Sequence, residues 1–436
     1  MGAGGDGGLE SERAERDGTL RGERVDFSSN GSLFFVSSYT DTSVLAHTPK
    51  GTLGEGIYSL FLDANSGRLT RLATTALGPN PAFILKHPSL DNMFYATTEC
   101  IASEGDLLTL ELQRSGEFKV LGRQSAKGKS TCYVNLRPTL DWMILVNYWD
   151  AKLSTLPVTD SGVVGESKEV FMQPQAEYVE RERPTREEHW KYRQRWPHSH
   201  CCVTEPYRGE YLFVSDLGLD QVFIYELDVC DGKLLPKAEV NLPKGRGPRH
   251  LVFHKEVRCA YVVNELMSTV TVLKYNEKRF ASYVTEDSQD PEAILSEAQV
   301  LSTLPPDYEN EGSVSPCGVW KASSHSSEIR LHPNGRFLYI GNRGHDSIAV
   351  YAVDPADGTL TCREVHPSGG KCPRNFNFDH NGRFLVVGNQ DSNSLNVFEV
   401  EGDGTLTETD RISLPSPNFV CSVPASAMRA SVGYNE

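Results

Sequence analysis

No apolar run in the 436-residue chain is longer than a strand, so none reads as a membrane span, which needs about 20 consecutive apolar residues. The segment from Met1 to Arg24 is rich in Gly and charge and has no apolar stretch of the kind a signal peptide carries; Asp6 stands where a myristoylation signal has Ser or Thr. Basic charge is short: 43 Lys and Arg face 58 Asp and Glu, a formal net charge of -15. That balance argues against a nucleic-acid partner, because such binding draws its strength from Lys and Arg neutralising phosphates. The ten cysteines form no CxxC pair. Cys132, Cys201, Cys202 and Cys421 fall in short apolar runs, where a thiol acts as a small buried hydrophobe, and the expected address is the reducing cytoplasm. The Gly-rich GAGGDGG near the N-terminus lacks the preceding strand and following helix of a phosphate loop.

What the chain does have is turns. Its 37 Gly and 24 Pro are spread along the whole length, the pattern of many short strands joined by many tight connections. Self-similarity is plainest between HPNGRFLYIGNRGHDSIAVYAVDPADGTLT, starting at His332, and DHNGRFLVVGNQDSNSLNVFEVEGDGTLT, starting at Asp379. Each copy is an Asn-Gly turn, an apolar strand, a polar corner, an alternating strand and an Asp-Gly turn, which is one antiparallel meander. Weaker copies place further strand ends near Ser38, Thr98, Asn147, Ser215 and Asn264, joining Asn342 and Asn389 to give seven. Matching first strands begin near Pro81, Cys132, His200, Pro248, Ser327 and Pro373, and a seventh follows Ser416.

The N-terminal copy lacks a first strand, and the C-terminal copy lacks everything after one. A ring closed by pairing the two explains both deficits, so the expected fold is an all-β, seven-bladed β-propeller of four-stranded antiparallel blades. A pair of sandwiches or a solenoid predicts no such complementary half-blades. The propeller is expected over residues 26–424, with insertions near 171–196 and 277–326 and tails at 1–25 and 425–436. The charge run from Glu177 to Arg195 reads as a solvated insertion.

In a blade, the first strand lines the central channel and the second pairs antiparallel with it, so the start of one and the end of the other meet at the same mouth. First-strand starts carry His198, His200, Arg249, His250, Glu328 and Arg374; second-strand ends carry Glu99, Tyr148, Asp216, Glu265, Arg343, His345 and Gln390. Such a ring is costly to bury unless its members pair or meet a ligand. Mutual pairing, Arg249 with Glu265 or Arg343 with Glu328, is the plainer expectation for any one residue. Collectively, Arg249, Arg343 and Arg374 suit a small anion gripped from several directions by charge-assisted hydrogen bonds. Glu265 and His200 are the candidates for proton transfer beside an arginine that stabilises an oxyanion. His198 and His200, two apart on an extended strand, could instead bind zinc with Glu265; two histidines without a compact further ligand suit anion binding better, and no metal or cofactor is expected.

The segments PHSH (Pro197 to His200), GPRHLVFH (Gly247 to His254), YVVNELMSTVTV (Tyr261 to Val272), IRLHPNGRFLYIGNRGHDSIAVY (Ile329 to Tyr351) and CPRNFNFDHNGRFLVVGNQDSNSLNVF (Cys372 to Phe398) together resemble the seven-bladed lactonases, the family of bacterial-type 6-phosphogluconolactonases and carboxy-cis,cis-muconate cyclases. The resemblance implies active-site roles for His198 or His200, Arg249, Glu265 and Arg343; His198, Asp216, Glu328, His345 and Arg374, which the blade geometry gathers at the same mouth, are expected to bind substrate. It implies hydrolysis of 6-phospho-D-glucono-1,5-lactone, with cyclisation of a carboxymuconate as the alternative. A non-catalytic propeller that binds a protein through its inserted loops is the reading from a different class. The early blades match less well, CYVNLRPTLDWMILVNYWD lacking the usual Gly turn, and the two insertions have no counterpart in compact bacterial members.

Overall fold

A computed structural model describes residues 31–173, 193–278, 294–314 and 320–426. Strands in it form seven four-stranded antiparallel sheets and one two-stranded sheet. Six blades are contiguous in sequence; their first strands are Pro81–Lys86, Thr131–Leu136, Ser199–Thr204, Pro248–Phe253, His325–Leu331 and Pro373–Phe378. In the seventh sheet, counted as blade 1, the C-terminal strand Pro417–Pro424 supplies the first position and pairs antiparallel with Gly31–Ser38, Phe35 opposite Cys421. The ring is closed as the two half-blades require. Second strands end at Ser38, Thr98, Asn147, Asp216, Asn264, Arg343 and Asn389.

Burial follows position in the blade. Second strands such as Trp142–Asn147, Cys259–Asn264 and Phe384–Asn389 are buried at every residue, because blades cover both of their faces. Outer strands such as Phe118–Ser125 are largely exposed and correspondingly polar. The core therefore lies between blades: Phe35 of blade 1 meets Phe94 and Phe118 of blade 2 edge-on, at 4.9 and 5.0 Å between ring centroids.

A hydrogen bond recurs across five blade junctions. A hydroxyl from one blade donates to the carbonyl of the turn glycine before the outer strand of the next: Ser59 to Gly116, Tyr95 to Gly162, Thr155 to Gly232, Tyr261 to Gly358 and Tyr339 to Gly404, all at 2.6–2.9 Å. The glycine is required there because the turn needs φ near +80°; Gly162 and Gly232 sit at 78° and 79°. The asparagines that marked strand ends tie down loops. Asn147, Asn342 and Asn389 each donate through the side chain to the carbonyl of a connecting segment, those of Ala126, Thr303 and Ser368.

The second expected insertion contains regular strands. Leu295–Ser302, inside the 277–326 stretch, is the outer strand of blade 5, so the extra residues interrupt that blade before its last strand. After it, Gly312–Val314 and Trp320–Ala322 make the small extra hairpin between blades 5 and 6. The tails 1–25 and 427–436, and most of the charge run from Glu177, lie outside the described residues.

Candidate active site

Every contiguous blade has a register slip near the mouth end of its first strand: between Pro81 and Ile84, Thr131 and Tyr133, Ser199 and Cys201, Pro248 and Leu251, Ser326 and Ile329, and Pro373 and Asn375. The residues skipped in the ladder include Cys132, His200, Arg249, His250, Glu328 and Arg374. Bulges of this kind bend a strand and re-aim its side chains. Here they aim the first-strand residues at the channel, and His200, Arg249, His250 and Arg374 line a central cavity with Tyr39, Glu99 and Asn418.

Glu265 is the hub, with its side chain only 4% exposed. Arg193 Nη2 donates to its Oε1 at 3.0 Å, Arg343 Nη2 lies 3.1 Å from Oε2, and Arg249 Nε lies 3.2 Å from Oε2. The Arg249 contact is an ion pair by distance, but its N–H is not aligned for a hydrogen bond. Burial on its own would raise the Glu265 pKa; the charges of Arg343, Arg193 and Arg249 overcome this and hold it well below the usual carboxylate range. Arg249 also donates through Nη1 to the Ser327 carbonyl at 2.7 Å and lies over His250, 3.2 and 3.3 Å from its two ring nitrogens. Burial, then Arg343, pulls Arg249 down to about 10, so it remains charged at neutral pH.

Arg374 faces Glu99 at 3.9 Å and lies 5.3 Å from the Tyr39 ring centroid, and the Tyr39 hydroxyl donates to Glu99 at 3.1 Å. Four guanidiniums thus share two carboxylates, Glu265 and Glu99, which leaves the mouth positive inside an acidic protein. His200 meets the edge of the Tyr148 ring at 5.1 Å and that of His250 at 5.1 Å; its Nδ1 is buried without a hydrogen-bond partner. Burial, then the charges of Arg249 and His250, hold its pKa well below the ordinary value, so it is a neutral imidazole.

Several expected substrate contacts are placed otherwise. Asp216 is fully buried and does not line the cavity: its Oδ1 accepts from the backbone N–H groups of His198 and Leu219, and its Oδ2 from the Ser199 hydroxyl. The tight turn after its strand captures the carboxylate. Glu328 pairs with His250 at 3.2 Å, and with Asn375 and Arg330, rather than with Arg343. His345 bonds Ser347 and packs edge-on against Tyr308. His198 stacks on Tyr148 at 4.5 Å and donates its Nδ1 hydrogen to the Tyr148 carbonyl at 2.9 Å. The Glu265 carboxylate, taken by three arginines, is not turned to these histidines as a shared ligand set, and among the described residues no three His, Cys, Asp or Glu side chains cluster in a way that could hold a metal ion.

Arg193, within the charge run read as solvated, is an exception to that reading: it donates to the Tyr148 hydroxyl at 2.9 Å and completes the Glu265 cluster. His47 and Tyr39 were also missed. Both follow Gly31–Ser38, the second strand of blade 1, and the strand-end rule that found Glu99 reaches Tyr39; no periodicity reaches His47, which lies in a loop.

The buried neutral histidines make stability depend on pH. His198 and His250 are each brought down to about 4, mainly by burial. In the unfolded chain they bind protons near pH 6.5, so their contribution is fully present above that value and is lost as pH falls toward 4, a tenfold change in proton affinity being worth about 1.4 kcal/mol at most. Asp216, raised by burial to about 6, works the other way and offsets part of the loss. The melting temperature is expected to fall between pH 7 and pH 5 in a differential scanning experiment; a flat or rising profile would contradict the neutral, buried assignment.

The closed seven-bladed ring thus carries an arginine-rich mouth with a neutral histidine beside it. The chain belongs to the lactonase, 7-bladed beta-propeller family, whose model matches residues 34–422, and it is a lactone-hydrolysing enzyme. It is 30% identical over 326 residues to the 6-phosphogluconolactonase of Bacillus subtilis strain 168, covering 74% of this chain and 81% of that one. It is 25% identical over 354 residues to the 6-phosphogluconolactonase of Formosa agariphila, covering 79% and 86%. Among solved structures, the periplasmic gluconolactonase of Pseudomonas aeruginosa superposes with a TM-score of 0.73 at 25% identity, over 90% of this chain and 99% of that one. Among the described residues no helix is long and apolar enough to cross a membrane.

Proposed function

We propose that the enzyme hydrolyses 6-phospho-D-glucono-1,5-lactone to 6-phosphogluconate. The observation that carries this reading is the excess of guanidinium over carboxylate at the mouth, beside a neutral imidazole whose Nδ1 has no partner. A phosphorylated lactone needs both: cations for the phosphate and for the oxyanion, and a base for water. The Bacillus and Formosa relatives carry that name.

In this mechanism His200 takes a proton from water as the oxygen attacks the lactone carbonyl carbon. The carbonyl π electrons move to its oxygen, and Arg249 and Arg343 meet the resulting charge, the preorganised stabilisation that dominates acyl-transfer catalysis. As the tetrahedral intermediate collapses, the bond to the ring oxygen breaks and the imidazolium returns its proton to that oxygen. Glu265 stays ionised throughout and fixes the arginines; both of its oxygens are occupied by guanidiniums, so neither is free to take a proton from water. No step calls on a cofactor. All nine described cysteines are free thiols, which supports a reducing, cytoplasmic setting; the partner is the small anionic substrate.

The test is hydrolysis of freshly generated 6-phospho-D-glucono-1,5-lactone by purified protein, followed against the spontaneous background with and without a chelator. Chelator-resistant acceleration is the expected result. No acceleration would transfer support to carboxymuconate cyclisation or another lactone, and loss only with chelator would return His198 and His200 to a metal role.

A further inference from the structure

Two groups at the mouth come from outside the blade repeat. Arg193 follows the first insertion, and His47 lies in the connection between Gly31–Ser38 and Ile57–Asp63 of blade 1. Arg193 spends Nη2 on the Tyr148 hydroxyl and Glu265 Oε1, yet its side chain keeps 36% of its exposure, against 18% for Arg343, 14% for Arg374 and 6% for Arg249. It is the most accessible of the four guanidiniums. The His47 ring packs edge-on against Tyr39 at 5.2 Å, the ring that Arg374 also approaches, and its Nε2 is buried with no hydrogen-bond partner. Burial, then the charges of Arg374, Arg343 and Arg193, bring His47 down to about 2 against the opposing pull of the Gln390 side chain, which is close by but not in hydrogen-bond geometry with Nε2.

A buried imidazole nitrogen without a partner is costly, and such an atom in a native structure calls for an explanation. Arg374 lies on the Tyr39 ring that His47 also touches, so a guanidinium is close to it. That setting repels a metal ion or an ammonium group and favours a ligand with several acceptor oxygens and negative charge, which would use the orphaned nitrogen and offset the crowded guanidiniums together. The inner arginine, Arg249, spends Nη1 on the Ser327 carbonyl and on His250, the ring whose edge His200 meets at 5.1 Å.

We propose that Arg193 and His47 are specificity-determining residues that form the outer half of an anion clamp, holding the phosphate of the substrate while His200 and Arg249 act on the lactone carbonyl. This rests on the phosphorylated-lactone reading above and assigns the phosphate end of that same site. It also accounts for the insertion, which delivers a fourth arginine that the blade repeat alone does not supply.

The experiment compares the wild type with Arg193→Gln, Arg193→Lys and His47→Asn on two substrates, 6-phospho-D-glucono-1,5-lactone and unphosphorylated glucono-1,5-lactone. The quantity read is the ratio of the two kcat/KM values. Loss of one charge-assisted contact is expected to lower that ratio roughly ten- to a hundredfold in Arg193→Gln, mainly through KM, with partial recovery in Arg193→Lys and a smaller fall in His47→Asn. An unchanged ratio in Arg193→Gln, whatever happens to the absolute rates, overturns the proposal, because a purely structural role would reduce both substrates alike. Thermal unfolding with inorganic phosphate as the probe separates this from the choice of substrate. Phosphate is expected to raise the melting temperature of the wild type and to do so less in Arg193→Gln. If that holds while 6-phospho-D-glucono-1,5-lactone is not turned over, the clamp stands and the substrate assignment fails; if phosphate protects both proteins equally or neither, the clamp fails.

Discussion

Glu265→Gln is expected to lower kcat/KM by at least roughly 10³-fold and to destabilise the fold by about 3–5 kcal/mol. The two losses share a cause. The carboxylate accepts from Arg193 on one oxygen and neutralises Arg249 and Arg343 on the other, all within 3.2 Å. An amide of the same shape leaves no cavity, but it removes the negative charge that all three guanidiniums share and turns an N–H₂ donor toward other donors. Left uncompensated, the arginines spread apart, and the pair assigned to the oxyanion loses its geometry. Steady-state kinetics and urea unfolding on the same preparation check both parts. A variant that loses rate and keeps its stability would mean that Glu265 is a base and not an anchor; a variant within tenfold of wild-type activity would remove it from the site altogether.

The second large effect belongs to His200. His200→Asn is expected to lower kcat by roughly 10²- to 10⁴-fold, the range for removing a general base, with little change in KM. Any loss of stability should come from the ring contacts to Tyr148 and His250 and not from a hydrogen bond, because the Nδ1 that is lost has no partner in the folded protein. The pH profile carries a sharper signature. Burial and the nearby positive charge hold the His200 pKa well below 6.5, so the neutral, proton-accepting form persists as pH falls. The acid limb of kcat/KM in the wild type is therefore expected well under pH 6.5, where an exposed histidine would already have lost half its activity. A limb centred at 6.5 or above would show that the titrating base is another group.

The strand ends and the inner ring were readable from sequence because they obey the blade repeat. Asn-Gly and Asp-Gly turns punctuate it, and the asparagines at strand ends recur because each must tie down a loop. The same rule brought His200, Arg249, Glu265, Arg343 and Arg374 to one mouth. It could not show that Glu265 gathers three arginines, since partner choice depends on side-chain reach across blades: Arg343 turns to Glu265 of the neighbouring blade, while Glu328 is taken by His250. Asp216 was misplaced for a local reason. It stands where Glu265 stands in the next blade, but its shorter side chain reaches the backbone N–H groups of its own turn. Arg193 and His47 were out of reach altogether, because they lie in connections where neither period nor turn chemistry sets a direction.

Ring closure has a consequence for when the enzyme comes into being. Tyr39 lies near the start of the described chain and Asn418 near its end, and both line the cavity; the Ser37 hydroxyl binds the Asn418 side-chain oxygen, and Asn418 in turn donates to the Pro81 carbonyl of blade 2 at 2.9 Å. Blades 2 to 7 consist of neighbouring residues and can each form as the chain emerges from the ribosome, but the wall of the cavity stays open until the last strand has been made and has found the first. A chain without Pro417–Pro424 thus carries every proposed catalytic side chain and still has no closed site, so turnover reports that this strand has been made and has found Gly31–Ser38.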